Sequence, residues 1–287
     1  LQATTHTAYH ILSQNTNYSE FLKLCEGLTT NVLDKAGLYD SLKAKKLDDA
    51  AGKEREKVAL KYYIFVAGNK AGQVFNAGSK DDKLVRFFNN YRYTIYAPTN
   101  DAITAEVAKG LPTCESIEKY LTEAEVQLAE DKSNQREFDA VNKHNTEIKI
   151  KAQAMITTLV NFLKYHFQDE SVFVDNVTNS QEYSTSSVNN ETKVYMKLDV
   201  TQTPNSLTLK DESGQNISVV APYNQLVRDA NFDRETAPQY IRSSSYAVVH
   251  TVGKVLLFDK SLSAGYARKW SSVKQAKAFL SKFSIKE

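Results

Sequence analysis

Two hydrophobic periodicities divide the chain. In "TAYHILSQNTNYSEFLKLCE" (7–26), Tyr9 and Leu12, then Phe21, Leu22, Leu24 and Cys25, recur at helical spacing. The pattern predicts two helical pieces, with Asn17 or Ser19 capping the second through a side-chain oxygen. Residues 30–49 continue with Val32, Leu33, Leu38 and Leu42, and Gly37 suits a helix C-cap. "AKKLDDAAGKEREKV" (44–58) mixes charges of both signs and reads as a solvated helix face or a loop. "KYYIFVAGNKAGQVF" (61–75) predicts a hairpin turning at its Gly and Asn residues, and 83–97 runs into a strand. Residues 113–170 contain neither Gly nor Pro. A stripe of Ile117, Leu121, Val126 and Leu128 predicts one helix. After a polar break at 131–134, Phe138, Val141, Ile148, Met155, Leu159 and Leu163 predict a long second one. Beyond Gln168 the period changes to two. Strands are predicted at 171–175, 192–200, 206–211, 216–221 and 246–258, with a turn at "DESGQN" (211–216). Helices followed by antiparallel strands predict an α+β domain.

One short segment joins the two regimes. "YTIYAPTNDAI" (93–103) alternates, meets Pro98, then becomes polar. Thr94 and Tyr96 fall on one strand face; Tyr93, Ile95 and Ala97 fall on the other. Pro98 has no N–H for a ladder and holds Ala97 extended, so pairing is expected to stop there. Thr99 or Asn100 can cap a helix starting near Asp101, whose carboxylate suits the positive end of the helix dipole. The segment reads as an architectural corner between a central strand and a helix.

Composition narrows the function classes. With 36 Lys and Arg against 34 Asp and Glu, the net charge is +2, which gives phosphate backbones little to bind, and no nucleic-acid partner is expected. No apolar run reaches the roughly 20 residues of a membrane span. The chain starts at Leu1 rather than Met, which predicts a processed form or an excised piece, with room for a lipid anchor upstream. Sixteen Tyr, and many Asn, Ser and Thr, with few Gly and Pro, suit an extracytoplasmic surface. Asn-x-Ser/Thr triplets stand at Asn17, Asn176, Asn190 and Asn216 and matter only in a source that glycosylates Asn. Cys25 and Cys114 could form one disulfide, two buried thiols or a reactive thiol.

Three islands in order resemble fasciclin-like domains. Tyr93–Ala102 resembles the family's first signature segment, Asn161–His166 its tyrosine–histidine motif, and Ser245–Leu257 its second signature segment. Departures are Ile103 where Phe is usual, Gly253 where Asp is usual, and Ser245-Tyr246 in place of an Asn-Gly turn. The resemblance implies N-terminal helices packed against an antiparallel or mixed, sandwich-like β core, with a helical hairpin inserted. One such domain would span 1–260, with insertions near 43–90, 115–155 and 175–200. Each signature occurs once, which implies one domain rather than two tandem copies, and residues 261–287 would form an extension ending in a short helix. The resemblance also implies a non-enzymatic, extracytoplasmic adhesion or binding module contacting proteins or glycans without a cofactor, and the composition suggests a bacterial surface lipoprotein, outer membrane-attached or secreted. Its contact surface is expected at Tyr165, His166, Gln168, Asp169 and Glu170 or on the inserted loops. Thr94, Ala97, Pro98, Thr99, Asn100, Asp101 and His250 would be structural.

Other chemistry is legible more faintly. A hydrolase could use His166 or His250 as base, but no G-x-S-x-G stands in the sequence. His6 and His10 have the i, i+4 spacing of two metal ligands without a visible third, so no metal is expected. Cys114, following Pro112-Thr113 at a helix start, could be an activated thiol. Trp270, in "ARKW", could be an exposed anchor or pack the C-terminal helix. A third reading, a subunit of a larger surface assembly, predicts a contiguous exposed apolar patch.

Overall fold

The computed structural model describes residues 8–26, 28–29, 61–62, 92–123, 134–189, 192–228 and 246–259. The expectations for 30–60, 63–91 and 261–287, and those for His6 and Trp270, lie outside them. At the N-terminus, α1 (Ala8–Gln14) leads through a 3₁₀ turn (Thr16–Tyr18) into α2 (Ser19–Glu26). The 3₁₀ turn is capped by Asn15, whose Oδ1 accepts the Asn17 N–H at 3.0 Å. Two short strands, β1 (Leu28–Thr29) and β2 (Lys61–Tyr62), pair antiparallel.

The corner forms as its residues dictate, with one correction. Strand β3 (Tyr93–Pro98) is buried on both faces, and α3 (Asn100–Ala108) follows. Thr99 is the N-cap, its hydroxyl accepting the Ala102 N–H at 3.3 Å. Pairing does not stop at Pro98: that residue sits opposite Val252, and the Thr99 N–H supplies the next bond, to the Val252 carbonyl at 3.1 Å. Asn100 does not cap but ties the corner to the N-terminal helices. Its Nδ2 donates to the Thr16 carbonyl (2.9 Å) and Ser19 Oγ (3.0 Å), and its Oδ1 accepts the Glu20 N–H (3.0 Å).

Helix α4 (Cys114–Glu123) precedes α5 (Gln135–Tyr165), which Asn134 caps through the Glu137 N–H. Then come β4 (Phe167–Asp169), β5 (Asn179–Asn189), β6 (Val194–Thr203), β7 (Ser206–Lys210), β8 (Asn216–Arg228) and β9 (Tyr246–Val252). Strands β3 to β9 pair in sequence order, and β9 returns parallel to β3, closing a seven-stranded barrel. The expected α+β arrangement, a sandwich-like core with N-terminal helices against it and an inserted helical hairpin, is corrected to this barrel. The reason is the use of both β3 edges: β4 takes one and β9 the other, so the sheet curls on itself rather than facing a second sheet.

Register divides the barrel wall. Thr94 and Tyr96 share a face with Val248 and His250, while Ile95 and Ala97 share the other with Val249 and Thr251. The second face lies under the N-terminal helices: the Tyr18 hydroxyl bonds Thr251 Oγ1, and the Phe21 ring stacks on Phe167. Around β6 the pattern differs. Met196, Leu198, Val200 and Gln202 are buried, while Asp199 and Thr201 between them and Thr203 after them are exposed. One side of the barrel is therefore buried on both faces and the other on one.

Candidate functional site

The two histidines lie in the core, and each is a clamp on backbone. His250 and His166 are both 0% exposed. His250 Nε2 donates to the Val172 carbonyl (2.8 Å), and its Nδ1 accepts the Asn224 N–H (3.2 Å). This fixes the ring as neutral, protonated on Nε2. His166 has the opposite tautomer: Nδ1 donates to the Phe162 carbonyl (2.8 Å), and Nε2 accepts the Leu256 N–H (3.0 Å). Burial lowers both rings from 6.5 to about 4, against a smaller raising effect from the carbonyls of Phe162 and Val172 respectively. With both nitrogens committed and no solvent access, neither ring is placed to take a proton from a substrate.

What the clamps hold explains why they are needed. Residues 171–175, expected as a strand, pair with none, yet Val172 and Val174 are buried. Their backbone groups are met by side chains instead. Thr94 Oγ1 donates to the Glu170 carbonyl and accepts the Val172 N–H; Gln202 Nε2 donates to the Phe173 carbonyl; Asn224 bonds Val174 through both N–H and C=O. Residues 253–258, expected to continue the last strand, are likewise irregular, with Val255 to Phe258 buried. His166 holds Leu256, and Asp211 Oδ2 accepts the Leu257 N–H at 2.9 Å. Buried peptide groups without a ladder require such partners.

The expected contact residues divide by exposure. Tyr165, His166 and Gln168 are buried; Asp169 is half-buried and Glu170 exposed. The Tyr165 hydroxyl donates to the Lys197 carbonyl (2.7 Å) and accepts the Glu212 N–H (2.9 Å). Gln168 Oε1 accepts from the Tyr96 hydroxyl at 2.8 Å, and burial raises that phenol's pKa. Only Asp169 and Glu170 of the five are open to a partner. Thr94, Ala97, Pro98, Thr99, Asn100, Asp101 and His250 stand at the β3–α3 corner and on the adjoining β9. Cys25 is buried and Cys114 half-buried at the start of α4, both as thiols. Among the described residues there is no cluster of His, Cys, Asp and Glu that could hold a metal, and no helix long and apolar enough to cross a membrane.

The surface that sequence reading missed is the bare wall of β5 to β8. Cross-strand register lines up Ser180, Thr201, Thr208 and Ser218 in one outward row, and Glu182, Asp199, Lys210 and Asn216 in the next. All of these but Ser218 line a shallow concavity of about 360 Å³. Lys197 lies 3.5 Å from Glu182, and Lys210 lies 4.0 Å from Asp199. The available signal was the alternation of 194–203, which leaves one face polar; β5 itself carries too little apolar residue to announce a strand. Comparison of the chain with protein-family models and with curated proteins finds no match.

Proposed function

We propose that the protein is a non-enzymatic binding module that works outside the cytoplasm, at a cell surface or secreted, and contacts proteins or glycans through the bare wall of its barrel. The observation that carries this reading is the contrast between the two kinds of polar group. Interior polar side chains are consumed by the backbone of 170–175 and 253–258, whereas the hydroxyls, carboxylates and lysines of β5 to β8 stand in ordered outward rows.

Kinship with fasciclin-like domains is part of the proposal and rests on the three sequence islands. Their proximity supports it: the Tyr96 N–H donates to the His166 carbonyl at 3.0 Å, and Tyr96 pairs with His250 across the parallel ladder. A hydrolase based on His166 or His250 is disfavoured, because each ring is buried with both nitrogens engaged. The assembly-subunit reading finds less support: exposed large apolar side chains among the described residues are Val177, Val194, Val220 and Tyr223, on three separate segments.

A glycan and matrix-protein array probed with the wild-type chain and an Asp199→Lys/Thr201→Arg variant tests the reading. The variant is expected to lose at least tenfold in binding with an unchanged melting temperature. Binding retained in the variant would move the contact surface off this wall, and an array without any bound partner would remove the adhesive reading.

A further inference from the structure

A lysine normally keeps its amine in water or beside a carboxylate. Lys23, Lys109, Lys119, Lys197 and Lys210 do both: more than a third of each side chain is exposed, or close to it, and each meets a Glu or an Asp. Lys164, in the last turn of α5, does neither. It is 8% exposed, and among the described residues no carboxylate, hydroxyl or carbonyl bonds its amine. Burial is the one influence on its titration, with no other charge acting on it, and lowers the amine to about 8.

The helical stripe that carries Lys164 is polar and enclosed. Thr157 and Asn161 stand at i−7 and i−3, both buried. Asn161 is engaged: its Nδ2 donates to the Thr157 carbonyl (3.0 Å), and its Oδ1 accepts from the Ser187 hydroxyl (3.0 Å). The Thr157 hydroxyl is buried with no partner. Long side chains on a helix lean toward its N-terminus, which for Lys164 is the Thr157 side. Elsewhere in the core, polar side chains hold backbone, as both histidines do. This amine and this hydroxyl hold none.

An uncompensated buried cation favours any change that removes its charge. Loss of a proton is one: at pH 7 about a tenth of these amines are unprotonated, against roughly one in 3,000 for an ordinary lysine. Imine formation is another. The free amine attacks an aldehyde carbon and a C–N bond forms. The two amine hydrogens then leave with the carbonyl oxygen as water, and a C=N bond remains. An imine is a weaker base than the amine, so it stays neutral in a site that penalises charge. Carbon dioxide would give a carbamate anion, which the same burial disfavours.

We propose that Lys164 is a covalent capture site for small aldehydes, held as imines, with the Thr157 hydroxyl bonding the oxygen of the carbinolamine formed on the way. The site goes beyond the binding-module reading and does not rest on it.

The test treats the full chain at pH 7 with propionaldehyde and cyanoborohydride, whose hydride adds to the imine carbon and fixes the adduct as a secondary amine. Peptide mass spectrometry reads the labelling rate of each lysine. Lys164 should label at least tenfold faster than Lys23, Lys119 and Lys210, and unfolding in urea should abolish the difference. Lys164→Met should fold and lose the fast adduct while the exposed lysines label as before. Thr157→Val should slow labelling of Lys164 at least threefold. Labelling of Lys164 no faster than that of the exposed lysines, a lead that persists in urea, or a fast adduct remaining in Lys164→Met would each overturn the proposal. Equal rates in wild type and Thr157→Val would overturn the part given to Thr157.

Discussion

The barrel has two sides built on different rules. Around β3, β4 and β9 both faces of the wall are buried, and polar side chains such as Thr94, Tyr96, Gln168 and His250 bond one another or distant backbone. Around β6 and β7 only the inner face is buried, and the outer rows bond weakly across strands, as with Ser180 and Thr201 at 3.3 Å. The first side uses its polar groups to hold irregular chain in the core; the second turns its polar groups to solvent. Substitutions on the two sides should differ by about an order of magnitude in their effect on stability.

Acid should break the first side most. Both histidines titrate at about 4 when folded against 6.5 unfolded, so the unfolded chain binds more protons between those values. Stability is then fully present above pH 6.5 and falls as pH drops toward 4, by about 3 kcal/mol for each ring. Urea unfolding at pH 7 and pH 4.5 measures this, and ring titration by NMR should place both transitions near pH 4.

Removing one clamp comes next. His250→Ala deletes the bonds to Val172 and Asn224 and leaves a cavity beside Tyr96, a cost of about 3–5 kcal/mol in urea unfolding. A smaller effect of opposite sign is expected at Lys164, on α5, which is 8% exposed. Burial lowers its amine to about 8. Lys164→Met should stabilise the fold by about 1–3 kcal/mol at neutral pH, because a buried charge is replaced by an apolar chain of similar length. The advantage should shrink between pH 8 and 10.5, where the wild-type amine loses its proton more readily folded than unfolded. Smallest of all, Thr201→Ala on the bare wall should change the unfolding free energy by under about 0.5 kcal/mol.

The same division decides what the sequence discloses. The long apolar stripe of 135–165 and the Pro98-Thr99 corner carry local signals, helical period and cap chemistry, and those elements stand where they are expected. Residues 171–175 and 253–258 look like strands because a buried extended segment and a ladder strand share one pattern. Only residues far along the chain, Asn224 for one and Asp211 for the other, distinguish them. The converse failure is β5: "NSQEYSTSSVN" pairs along most of its length, yet it offers neither alternation nor an apolar run. The motif that carries the expected contact residues gives no signal of their depth. Tyr165, His166 and Gln168 have polar atoms that a linear reading assigns to the surface, and their partners, Lys197, Leu256 and Tyr96, are set by topology.

Closure through a parallel β3–β9 pair has a consequence for biosynthesis. These neighbours are separated in sequence by α3 to α5 and by every other barrel strand. A nascent chain on the ribosome can therefore form its helices early, but it cannot seal the cylinder until residue 252 has left the exit tunnel. Until then the inward faces of β3 and β6 to β8 are open to solvent and to neighbouring chains. Synthesis should thus pass through a long, sticky, half-wrapped stage, and truncation upstream of β9 should give aggregates rather than a smaller folded product.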